Sequence, residues 1–335
     1  MKVRHICFLL RFTILLVSIA LCAVAPTFAN AQNLSELLSI DPREMKFEPV
    51  EFTPPTPERI TLENGMIVYL LPDHELPLIS IDAVVKTGAI YEPANKVGLA
   101  GMTGSIMRTG GAGNRTGNEI DEALEFIAAN IGVHVGSDSG SASLDVLKKD
   151  FDFALKIFVD VLRTPQFAQD KLDLAKKRAL ENIRRRNDRP SGIASREFYK
   201  VLYGENHPYG RVSTAKGISS ITREDLQAFH KTYFHPNSMM LGVTGDFERD
   251  EMLATLRNTF GNWSKSDVDF PSVPPVNPDI KRSVNHVEKD VTQTHLRIGH
   301  LSIRQNHSDY FALALLDDIL GAGGFSSRLF QDVRT

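Results

Sequence analysis

Apolar positions recur with two periods along this chain, and together they outline strands followed by helices. Ile60-Thr61-Leu62-Glu63 and Met66-Ile67-Val68-Tyr69-Leu70 flank Asn64-Gly65, a dipeptide that supplies positive φ and predicts a hairpin. The run Leu78 to Val85 predicts a third strand. Leu99, Met102, Ile106 and Met107 make a stripe at helical spacing, so a short helix should open after Gly98 and close at Gly110-Gly111. Asn118 is placed to cap a helix with Ile120, Ala123, Leu124 and Ile127 on one face. Two runs, Val133 to Ser139 and Ala142 to Leu147, suggest a second hairpin about Gly140. Asp150 should cap a helix with Ala154, Ile157, Phe158 and Val161 inward, stopped near Pro165. A charged helix comes next, from about Ala168 to Asn187. Its Lys176-Lys177-Arg178 and Arg184-Arg185-Arg186 runs suit a solvated face better than a binding patch. Thr222-x-x-Asp225 predicts an acidic capping box, Ser238 to Val243 a strand broken by Gly245, and Arg249 to Phe260 a helix.

Outside this block the pattern changes. Residues 32–58 hold Pro42, Pro49, Pro54, Pro55 and Pro57 with little periodicity, which predicts an extended arm. Residues 266–283 hold Pro271, Pro274, Pro275 and Pro278 and predict a linker. Beyond it, Thr294 to Ile303 is strand-like, Asp309 to Leu320 helix-like, and Gly321-Ala322-Gly323-Gly324 a glycine loop. That repeats the order strand, helix, glycine loop found from Leu78 to Gly111 and predicts a duplicated domain with the second copy truncated. The fold class expected is α+β, an antiparallel sheet with helices packed on one face. The domains expected are 59–265 and 284–335, and the chain reads as part of a longer protein.

Composition adds an address. Residues 1–31 combine a basic start (Lys2, Arg4), an apolar middle from Phe12 to Val24 and Ala29-Asn30-Ala31, the pattern of a secretory signal peptide cleaved after Ala31. Both cysteines, Cys7 and Cys22, fall inside it, so the exported chain would have no disulfide, thiolate nucleophile or cysteine metal site. Loss of Lys2, Arg4 and Arg11 takes the 38 basic residues to 35 against 41 acidic ones. That balance argues against nucleic acid as a partner, and no membrane span is expected once the leader is removed.

The candidate chemistry lies on the helix after Gly98. Gly101, Gly104 and Ser105 stand at i, i+3 and i+4, the spacing at which the inverted zinc motif H-x-x-E-H gathers two imidazoles and a carboxylate. Glycine offers no ligand and a neutral hydroxyl is a poor one, so the helix has the frame of a metal site without its donors. The bland alternative is a helix pressed against another backbone, which would explain two glycines that each cost about 0.5–1 kcal/mol relative to alanine.

From about Arg59 onward the chain resembles the pitrilysin and insulinase family of zinc metallopeptidases, which includes processing-peptidase subunits and bacterial periplasmic relatives. The family's G-L-A-H-F-x-E-H-M aligns without a gap on the stretch that starts Gly98-Leu99-Ala100. The resemblance implies that Gly101 and Ser105 occupy the two histidine positions and Gly104 that of the general-base glutamate. It places the third zinc ligand at Glu181, in Ala179-Leu180-Glu181-Asn182-Ile183. It also aligns Arg334 with an arginine that binds the scissile peptide, the accompanying tyrosine falling beyond Thr335.

These matches lead to the expectation of an exported, catalytically inactive subunit. It would need no cofactor of its own and would pair with an active, zinc-bearing subunit of the same family. Through Arg334 it would help hold an extended peptide in the bacterial periplasm. Two alternatives remain: a standalone peptide-binding scaffold, and a zinc endopeptidase with atypical ligands such as Glu181 and His134. The other histidines suggest no site, with His230 and His235 across a helix end and His295 and His300 on opposite sides of a strand.

Overall fold

The computed structural model describes residues 52–279 and 281–334. The leader expected at 1–31 and most of the arm expected at 32–58 lie outside the described residues. Six strands make one sheet: β1 (Glu58–Thr61), β2 (Ile67–Pro72), β3 (Leu78–Val85), β4 (Asn130–Val135), β5 (Gly140–Leu147) and β6 (Met239–Gly245). The helices are α1 (Leu99–Thr109), α2 (Gly117–Phe126), α3 (Phe151–Arg163), α4 (Gln169–Arg185), α5 (Pro190–Tyr203), α6 (Ala215–Ser220), α7 (Arg223–Tyr233), α8 (Arg249–Phe260), α9 (Tyr310–Asp317) and α10 (Arg328–Arg334).

The sheet order is β1-β2-β6-β3-β5-β4. It is antiparallel except where β2 runs parallel to β6, Val68 facing Leu241 and Leu70 facing Val243. A wholly antiparallel sheet was therefore not attainable. β2 and β3 run in opposite directions, and β6, inserted between them, must run parallel to one of the two.

Burial alternates along β3: Ile79, Ile81, Ala83 and Val85 are inside, while Leu78, Asp82 and Val84 face out. The buried side of the sheet joins the helices in one core that includes Met66, Ile81, Ile106, Leu144, Phe158 and Phe260. At the predicted first hairpin, Gly65 has φ 85°, and the Asn64 amide donates to the carbonyls of Phe260 at 2.7 Å and Trp263 at 3.2 Å. The turn is thereby tied to the end of α8.

Helix α8 begins and ends where its pattern indicated, and α7 carries its capping box in both directions. The Asp225 amide donates to Thr222 Oγ1 at 3.3 Å and the Thr222 amide to Asp225 Oδ2 at 2.8 Å. Helix α2 is capped differently from expectation. Thr116, whose backbone is extended, closes a capping box with Glu119, and Asn118 already lies inside the first turn. Asp150 precedes α3 but makes no side-chain cap bond. Helix α5 has no counterpart in the sequence reading; Ile193 is its single buried residue.

The strand expected at Thr294 to Ile303 does not form. These residues are irregular and almost wholly exposed, and none of the six strands pairs with them. Alternation makes a strand only where a neighbour takes its hydrogen bonds. The helix expected from Asp309 appears as α9, ending in a wide turn over Asp318–Ala322.

The proline-rich stretch after Ser266 is irregular, as composition indicates, yet it is docked. Asn237 and Ser266 exchange two hydrogen bonds, at 2.8 and 3.1 Å. Phe270 lies 5.3 Å from the Tyr91 ring and 5.9 Å from Tyr233, with the Lys86 ammonium 4.1 Å above it. His207 accepts the Tyr209 amide on Nδ1, which leaves its Nε2 to donate to the Pro274 carbonyl at 3.0 Å.

Candidate functional site

The frame of the site is α1 against β4. Gly98, at φ 110°, turns the chain into the helix in a conformation few other residues adopt. Glu92 then secures the first turn: its carboxylate is 6% exposed and accepts the amides of Gly98 and Ala100, each at 3.0 Å. These are two of the amides that a helix N-terminus leaves without intrahelical partners. Burial pushes the Glu92 carboxyl above its ordinary value, against the lowering effect of those amides and of the nearby Arg211. Sequence reading missed this residue. Its signal would have been an acidic side chain a few residues ahead of a helix that starts on glycine, with no Ser, Thr, Asp or Asn to cap it.

Beyond that turn, Leu99, Met102, Ile106 and Met107 are buried, as the stripe predicts. On the glycine face, Gly101 is half-buried with room beside it: a Cβ built there would come no nearer than 4.0 Å, to the Val135 carbonyl. Gly104 is different. A Cβ there would fall 2.6 Å from the Val135 nitrogen and 3.0 Å from the His134 carbonyl carbon, inside the backbone of β4. The close approach offered as the bland reading is therefore present at Gly104 and absent at Gly101. Ser105 is exposed, and its hydroxyl donates to the Met102 carbonyl at 3.1 Å within its own helix.

Glu181 projects from α4 into solvent and pairs with Arg184 at 3.6 Å. His134 stands on the exposed side of β4, while Ile131 and Val135 turn into the core. Arg334 ends α10 with its guanidinium 5.1 Å over the Phe330 ring. His230 is half-buried with Nε2 on the Leu162 carbonyl, and desolvation lowers its pKa to about 4. His235 bonds the Lys231 carbonyl. Among the described residues no group of three or more His, Cys, Asp or Glu side chains converges. The donor set at the α1 face does not fit a zinc ion, since two of its positions lack side chains and the third is an alcohol.

Two family models match this chain. One, described as insulinase (peptidase family M16), matches residues 70–211, and the other, described as the peptidase M16 inactive domain, matches residues 220–335. An uncharacterized zinc protease of Mycobacterium leprae is 29% identical over 82% of this chain and 62% of its own length. The chain thus spans about 62% of that curated relative. A crystal structure of a peptidase M16 inactive domain from Pseudomonas fluorescens superposes with a TM-score of 0.75 at 27% identity, covering 83% of this chain and 68% of that one. A protease from Helicobacter pylori shares the fold, with a TM-score of 0.65 at 22% identity and coverage of 83% and 68%.

Proposed function

The chain belongs to the M16 family of insulinase- and pitrilysin-like peptidases, and from that premise we propose that it is a member without hydrolytic chemistry of its own. Gly101 and Ser105 would stand at the histidine positions and Gly104 at that of the general base. The observation that carries this reading is the contact at Gly104. The space a catalytic glutamate would need to begin its side chain is filled by the backbone of β4. Without that carboxylate nothing on α1 could accept a proton from an attacking water.

The role left to such a chain is to hold substrate for a subunit of the same family that bears an intact H-x-x-E-H helix. β4 ends the sheet and pairs on one side alone, with β5, so its other edge suits an extended peptide adding as a strand. Arg334 would contribute to holding that peptide. The basic, apolar and small-residue order of residues 1–31 supports export, with the periplasm as the compartment in a two-membrane bacterium. The boundaries 59–265 and 284–335 are proposed as two copies of one domain plan, joined by the docked proline-rich stretch.

The test is zinc content and peptide hydrolysis, measured on the isolated chain and again after co-expression with a zinc-bearing relative. Cleavage should require the relative and should fall when Arg334 is replaced by alanine. Zinc-dependent cleavage by the chain alone would overturn the proposal.

A further inference from the structure

The end of α4, the middle of α5 and the loop after it enclose an open cavity of about 340 Å3. Its wall carries three cations, Arg186, Arg196 and Lys200, and two anions, Glu197 and Glu205. Most of that charge is already matched. Arg196, with its side chain 18% exposed, donates to Glu197 at 3.2 Å and to the Asn187 side chain at 2.9 Å. Lys200 lies 3.1 Å from Glu205 and 3.7 Å from Glu197. Arg186 alone has no carboxylate among the described residues. Arg186 is solvent-exposed; one of its nitrogens donates to the Ser213 carbonyl at 3.0 Å, which draws the guanidinium to the cavity wall, and its other donors meet no protein acceptor among the described residues.

A guanidinium at the rim, drawn in by one backbone bond and with donors left over, beside a hydroxyl residue and an open void larger than a few waters, is suited to a planar or tetrahedral oxyanion. We propose that this cavity is a small-anion site that takes a carboxylate or phosphate group on Arg186. The two glutamates do not oppose this, because each is paired with a neighbouring cation. Their presence limits the ligand to one whose charge is concentrated at a single group. Such a group could be the free terminus of a peptide or inorganic phosphate, which share this chemistry. The site is independent of the proposed peptide-holding role, since it needs neither a partner subunit nor the α1 face.

The experiment monitors the backbone amide resonances of Ser213 and Thr214 while inorganic phosphate is titrated into the whole chain. Saturable shifts are expected, weakened roughly tenfold or more by Arg186→Gln. Arg186→Lys, which keeps the charge, should retain part of the affinity and shows that loss in the glutamine variant is not unfolding. Arg184→Gln, two residues away on an exposed side chain, should leave binding unchanged. A second arm competes phosphate with N-acetylalanine and with its amide. Displacement by the acid alone assigns the site to a peptide terminus, and retention of phosphate against both assigns it to phosphate. Shifts that never saturate, or that weaken as much in Arg184→Gln as in Arg186→Gln, would overturn the proposal.

Discussion

Gly104 of α1 and Val135 of β4 meet backbone to backbone, with 2.6 Å between the Val135 nitrogen and the place where a Cβ on residue 104 would lie. Real side chains do not tolerate that separation from a main chain, so one added methyl must push the helix off the sheet. Gly104→Ala should therefore destabilise the chain by about 1–3 kcal/mol, the usual cost of overpacking. Gly101→Ala, with 4.0 Å to its nearest neighbour, should stabilise it by about 0.5–1 kcal/mol through helix propensity. Urea unfolding of both variants checks the pair; an unimpaired Gly104→Ala would show that β4 yields easily.

The same contact limits what restoring the motif can achieve. In Gly101→His, Ser105→His the two imidazoles would share one helix face and should raise zinc affinity measurably over the parent chain. Adding Gly104→Glu should cost stability and still yield no hydrolysis, because the glutamate cannot be seated without moving β4. Metal analysis and peptide cleavage by the triple variant decide this. Turnover by that isolated variant would mean the helix and strand part readily.

Features of the fold were legible in the sequence where the physics behind them is local. The Asn64-Gly65 hairpin, the Thr222–Asp225 box and the boundaries of α8 depend on residues within a turn or two of one another, and the structure has them as expected. The parallel pairing of β2 with β6 depends on a strand arriving from far along the chain, and alternation along each strand is blind to direction. Thr294 to Ile303 carries the pattern of a strand but lacks the neighbour that would make it one. At the α1 face, spacing exposed the missing donors at once. Only coordinates separate Gly104, which has no room, from Gly101, which has it. Glu92 escaped notice because its capping action crosses a loop instead of one helical turn.

Glu92 also gives α1 a pH signature. Burial raises its folded-state pKa above the ordinary glutamate value of about 4.3. The folded state then holds the proton more tightly than the unfolded chain, so this residue's contribution is fully present at low pH. It is lost as pH rises through the folded-state pKa. Glu92→Gln mimics the protonated form and has no such dependence. The stability of the parent chain minus that of Glu92→Gln should therefore fall as pH is raised from about 4.3, then level off. Thermal melts across that range read it directly; a difference that rises with pH would mean the two amide bonds outweigh burial.

The proline-rich stretch makes the last test, because composition and structure suggest opposite behaviour for it. A segment holding Pro271, Pro274, Pro275 and Pro278, with no regular hydrogen bonding, would ordinarily be cut easily by proteases. Here the segment is fixed at four points: Ser266 on Asn237, Val268 against the core, Phe270 on Tyr91 and Tyr233, and Pro274 on His207. Phe270 is the central one, since it supplies the larger apolar contact beside Val268, while Ser266 and Pro274 make only polar bonds. Replacing it with alanine removes an aromatic packed on two rings and the face under Lys86, worth about 1–3 kcal/mol locally at a partly buried site. If docking protects the segment, cleavage near Ser266 to Asp279 should accelerate roughly 5- to 160-fold in Phe270→Ala, because proteolysis samples the released state in proportion to its population. The urea midpoint of the sheet domain should move much less, because this ring is only partly buried and packs on the outside of the core. Equal cleavage rates in parent and variant would show that the segment is held by something other than Phe270.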